Sequence, residues 1–127
     1  MRPPRPLPAA VADSLAALNA PPRLAAHLAL VHDAAWAIVA GCDAVWPALT
    51  YDREAVCLGA AIHDVGKITY PMELTGPGHE HEAAGETLLL AQGWPERMAR
   101  CARTHAQWSA SSAPALEDLL VALADNW

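Results

Sequence analysis

Apolar residues recur at three- and four-residue steps along most of the chain and nowhere alternate with polar ones over a useful length. The clearest stripe is Leu24, Leu28, Val31, Ala35 and Ile38. That spacing predicts a long helix from about Pro22 to Gly41 with one buried face. Ahead of it, residues 9–19 read as a short helix ended by Asn19 and the Pro21-Pro22 pair, and residues 1–8 as an extended Pro-rich lead-in. Residues 42–51, with Pro47, are expected to form a loop. Asp52 then caps a helix whose Ala-rich apolar run ends at His63-Asp64. Pro71, Gly76, Pro77 and Gly78 break residues 66–79 into a second loop. Further helices are predicted over 80–92, 95–107 and 115–127. The pattern describes an all-α chain: a compact bundle of five to six helices over residues 22–127, preceded by a Pro-rich segment with a short helix over 1–21.

Composition narrows the class. Hydrophobic residues make up 54% of the 127, charged residues 17%, and Phe is absent. With Ala dominant, the helices are expected to approach closely over small side chains. The net charge of −6 and the lack of a basic run argue against nucleic acid as the main partner. Cys42, Cys57 and Cys101 are odd in number and unrelated in spacing, as buried thiols in a reducing compartment would be. The N-terminus has the charge of a signal peptide without its apolar core, because Asp13 interrupts the apolar residues beyond the prolines. No apolar run is expected to reach the roughly 18 residues of a membrane span. A cytoplasmic location is the expectation.

The chemistry concentrates at Ile62-His63-Asp64-Val65-Gly66-Lys67. Neighbours on a helix point about 100° apart. His63 and Asp64 therefore reach one object only off the helix end, where Gly66 is expected to turn the chain in a left-handed conformation. An imidazole and a carboxylate converging there suit a divalent metal such as Zn, Mn or Fe. Lys67 is placed to meet an anion bound to that metal. His81, His105 and Asp125 fall on later helices, and a bundle brings such residues to a common interior point.

In order, His63-Asp64-Val65-Gly66-Lys67, His81-Glu82-Ala83-Ala84-Gly85, His105 and Leu123-Ala124-Asp125 resemble the HD-domain superfamily of metal-dependent phosphohydrolases. The resemblance spans about residues 22–127 and favours the branch with two extra histidines, which is associated with two metals. It implies a first histidine early in the long helix with an apolar residue four positions on. His27, followed by Val31, fits. His32, followed by Trp36, is the alternative and gives the more usual gap to His63. His81 is preferred to His79 because Gly85 lies four residues beyond it, leaving His79 to touch substrate at the mouth.

The implied set is His27, His63, Asp64, His81, His105 and Asp125, holding one or two divalent ions (Mn, Fe, Zn, Ni or Mg). Asp64 would bridge them and Lys67 would offset charge on a small phosphorylated substrate. A water ionised by metal would attack phosphorus in line. Tyr70, Glu73 and Thr75 are candidates for substrate contact, and Trp108 for the pocket wall. Arg97, Arg100 and Arg103 read first as a solvated helix edge. The glycine-rich signature of cyclic-dinucleotide phosphodiesterases is absent. Relatives with the same six ligands use a di-iron centre and dioxygen, and a non-catalytic nucleotide- or protein-binding module is the other alternative. A homo-oligomer is expected because so little chain comes after Asp125.

Overall fold

The computed structural model describes residues 5–104 and 116–125. Six α-helices account for most of them: α1 (Ala9–Ala17), α2 (Pro22–Val45), α3 (Arg53–Ile62), α4 (Glu80–Ala91), α5 (Glu96–Thr104) and α6 (Leu116–Asp125). Two single 3-10 turns, Val65–Ile68 and Pro71–Leu74, sit between α3 and α4. No strand occurs among the described residues, and the all-α bundle expected from the hydrophobic pattern is what forms.

α3 is the central helix. It packs against α1, α2, α5 and α6, and every residue from Ala55 to Ile62 except Leu58 is buried. Small side chains make this possible. The α-carbon of Gly59 is approached so closely by Val121 of α6 and Cys101 of α5 that a methyl group there would lie 3.0 and 3.2 Å from them. Asp52 caps the helix, accepting a hydrogen bond from the Ala55 amide at 3.0 Å, and its own amide donates to Glu117 of α6 at 2.7 Å. The start of α3 is thus tied to the start of α6, and its other end delivers His63 and Asp64.

α2 lies along α3 and α6 and buries Leu24, Leu28, Val31, Ala35 and Ile38, the stripe legible in the sequence. It does not stop at Gly41 but continues to Val45. A β-carbon on Gly41 would meet nothing within 4 Å outside its own helix, so nothing there forces an end. The helix ends instead at Trp46, whose φ of −128° and ψ of 68° lie outside the helical region that a following proline disfavours. Contrary to the expectation from the sequence, α2 is by length and composition apolar enough to cross a membrane. Here it serves as a core helix, with one face against α3 and α6.

Val11 and Leu15 of α1 are buried in the same cluster as Leu24, Leu28, Ile62 and Leu89. Asn19 ends α1 with a φ of 54°, the left-handed closure that asparagine tolerates.

Candidate metal centre

Four side chains, one from α2, two from the residues that follow α3 and one from α6, converge below the end of α3. One donor atom from each of His27, His63, Asp64 and Asp125 lies within 4.8 Å of all the others. His27 Nε2 is 3.2 Å from Asp64 Oδ2 and 3.3 Å from Asp125 Oδ1. His63 Nε2 is 3.4 and 3.0 Å from the same two oxygens. His63 and Asp64 are buried, whereas the His27 and Asp125 side chains are 39% and 27% exposed. Access from solvent therefore runs over His27 and Asp125. Both line an open groove of about 490 Å³ between α2 and α6, walled by Leu30, Val31, Asp33, Ala34, Ala37 and Ala124.

The two sides of the Asp64 carboxylate face different partners. Oδ2 meets His27, His63 and, at 3.2 Å, Lys67 Nζ. Oδ1 meets His81 Nε2 at 3.4 Å. His81 stands at the start of α4, which is brought in by a contact between backbones. A β-carbon on Gly66 would fall 1.7 Å from the His81 carbonyl oxygen and 2.6 Å from the Gly85 nitrogen. Gly66 therefore serves close approach. Its φ is not positive, so the left-handed turn expected from the sequence does not occur, and the chain turns through the 3-10 helix instead. Gly85 plays the matching part on α4, where a β-carbon would meet Ala102 at 2.9 Å.

His32 points elsewhere. It is buried beside Trp36, whose Nε1 donates to His32 Nε2 at 3.2 Å. His79, expected at the substrate mouth, pairs with Glu82 at 2.8 Å with its side chain 68% exposed. Glu73, a candidate for substrate contact, does not stand at the loop surface. It is buried and accepts a hydrogen bond from His81 Nδ1 at 2.6 Å. A carboxylate behind a histidine is a common second partner in metal sites, but no local pattern in the sequence shows that the loop folds back to place it there. Tyr70 and Thr75 flank the second 3-10 turn. Arg97, Arg100 and Arg103 pair with Asp52, Asp118 and Glu86. His105 and Trp108 lie outside the described residues.

Electrostatics within the cluster are strongly coupled. Hydrogen bonds to Asp125 and then Asp64 raise His27 to about 9. Burial alone would depress His63, but the bonds to Asp125 and Asp64 override it and lift it to about 10. Asp64 and Asp125, which burial would raise, are held far below the usual carboxylate range by the imidazoles. Both carboxylates are therefore ionised at neutral pH.

The donors fit a divalent cation. They are nitrogen and oxygen atoms in a buried setting, and His63 Nδ1 donates to the Ala60 carbonyl at 2.8 Å, which turns its Nε2 toward the carboxylates. Tetrahedral ligands bound at about 2.0–2.2 Å lie roughly 3.3–3.6 Å from one another. The four imidazole–carboxylate separations, 3.0 to 3.4 Å, are close to that spacing.

A pH dependence is expected for the metal-free protein. The histidines' contribution to stability is complete below 6.5 and is lost as pH rises through about 9 and 10. The aspartates' contribution holds above about 4 and is lost as pH falls toward their depressed values. Thermal unfolding in chelator should therefore show Tm falling between pH 7 and 10. Added metal should reverse that trend, because binding requires neutral imidazoles and releases their protons. A chelated sample whose Tm is flat from pH 7 to 10 would refute this coupling.

A family model for the HD domain matches residues 40–127. The match includes His63, Asp64, His81 and Asp125 and begins after His27, which the fold nevertheless brings to the same cluster. No curated protein and no solved structure matches the chain. With more than half its length covered by that model and an all-α bundle around the His-Asp pair, the chain belongs to the HD domain family.

Proposed function

We propose that the protein is a metal-dependent phosphohydrolase acting on a small organic phosphate ester, with the first ion held by His27, His63, Asp64 and Asp125. The observation that carries this reading is the convergence of two imidazoles and two ionised carboxylates with a lysine ammonium against the central one. A bound divalent ion supplies Lewis acidity and a water that ionises near neutral pH. The residues of the chain do the rest. Lys67, 19% exposed at the edge of the cluster, offsets charge on a phosphoryl oxygen as it builds. The groove beside His27 and Asp125, apolar along Leu30, Ala34, Ala37 and Ala124 and acidic at Asp33, receives the organic part of the ester. Lys67 is the cation held against the cluster, and Arg53, Arg97, Arg100 and Arg103 are each tied to a carboxylate, which supports a single phosphate group as the charged part of the substrate. His81, 3.4 Å from the other oxygen of the Asp64 carboxylate, would help to hold a second ion together with that oxygen. The three free cysteines suit a cytoplasmic setting.

The test is metal content per chain and phosphate release from a monoester panel, for wild type, His27→Ala and His32→Ala. Wild type and His32→Ala should hold metal and release phosphate, while His27→Ala should lose metal affinity by about 10-fold or more. Two irons per chain with oxygen uptake and no phosphate release would overturn the hydrolase. Equal metal loading in folded His27→Ala would overturn the ligand assignment.

A further inference from the structure

His81 approaches Asp64 through one ring nitrogen, and the other is held by Glu73. Glu73 is a loop residue in the 3-10 turn Pro71–Leu74, yet only 7% of it is exposed. Its Oε1 accepts two hydrogen bonds from one residue, the His81 backbone amide at 3.2 Å and His81 Nδ1 at 2.6 Å. The first fixes the start of α4. The second fixes the ring's rotation and leaves Nε2 directed at Asp64 Oδ1, 3.4 Å away. Glu73 is itself confined from behind. Gly78 has a φ of +151°, and a β-carbon there would fall 2.6 Å from the Glu73 carboxyl carbon. A side chain at position 78 would be strained by that φ and would push this carboxylate aside. Gly78, Glu73, His81 and Asp64 form one continuous chain of contacts.

We infer that Glu73 is the positioning residue for a second metal position on the Oδ1 side of Asp64, acting through His81, and that Gly78 keeps its carboxylate in place. The inference rests on the two-ion form of the proposed function. A carboxylate accepting the distal N–H of an imidazole fixes the ring and makes the facing nitrogen a better donor. Glutamine at position 73 still offers an oxygen to the His81 amide, so the start of α4 survives while the charge on the ring's partner is removed. Alanine at position 78 moves the carboxylate without touching any cluster residue.

The experiment titrates Mn²⁺ into metal-free wild type, Glu73→Gln and Gly78→Ala by calorimetry, with electron paramagnetic resonance for the spin-coupled pair and circular dichroism for fold. Wild type should bind two ions. Glu73→Gln should keep the tighter one unchanged and bind the second about 10–100-fold more weakly, losing the coupled signal. Gly78→Ala should do the same. Two ions bound by folded Glu73→Gln with wild-type affinities would show that Glu73 serves only to start α4, leaving the hydrolase reading intact. A single ion in wild type would overturn the second position with Glu73's role in it. No ion in wild type would overturn the metal reading as a whole.

Discussion

Asp64→Asn is expected to remove metal binding and to lower ester hydrolysis at least a thousandfold, about 4 kcal/mol of transition-state stabilisation. The size of the effect comes from position. Asp64 is 2% exposed, and its two oxygens serve His27, His63 and Lys67 on one side and His81 on the other. The amide is neutral, and its NH₂ turns hydrogens toward one of those sets, so whichever way it rotates one group of donors faces a like donor. The stability cost should be smaller than the functional one. A buried charge stripped of its partner costs about 3–5 kcal/mol, but the imidazoles escape that penalty by releasing their protons. Elemental analysis, kcat and a thermal melt on the same preparation check all three parts. A folded variant that keeps both metal and activity would sink the metal-centred mechanism.

Gly66→Ala should be the most damaging single methyl group in the protein. The added carbon would sit 1.7 Å from a backbone oxygen of α4, and backbone has no rotamer with which to move away. Either the 3-10 turn lifts off α4, pulling Asp64 from His81, or α4 shifts and opens the contact between Gly85 and Ala102. Overpacking costs typically 1–3 kcal/mol, and a clash between two backbones belongs at or above about 3 kcal/mol. For a domain of this size that is a Tm lower by about 10 °C or more. Gly41→Ala is the control of opposite sign. It lies within α2 in open space, so the change should stabilise by about 0.5–1 kcal/mol through helix propensity. If both variants melt like wild type, the close packing of the turn on α4 is wrong.

The fold is largely legible in the sequence because helix periodicity is a local property. The buried stripe of α2, the Asp52 cap and the breakers around Pro71 and Gly78 each act within a few residues. The end of α2 is less legible because Gly41 looks like a stop, whereas the stronger constraint is Pro47 acting on Trp46. At the candidate site, the His63-Asp64 pair stands out because adjacency itself is local. The choice between His27 and His32 depends on which side of α2 faces α6, and the structure turns His27 to the cluster and His32 to Trp36. Glu73 and Gly66 escape a reading of the sequence for one reason. Each owes its place to a neighbour distant along the chain, the His81 ring for one and the α4 backbone for the other. The hydrophobic pattern shows neither contact.

The cluster also carries a topological consequence. Its members come from the second helix, the end of the third and the last turn of α6, so an ion there would tie together segments separated by most of the chain. Such a tie acts as a staple, removing freedom from the unfolded ensemble roughly as a cross-link closing a long loop does. It also orders events in time. A chain leaving the ribosome cannot assemble the four donors until α6 has emerged and docked, so metal capture would report that α6 is in place. A chain still lacking α6 would have neither the full donor set nor the tie it provides.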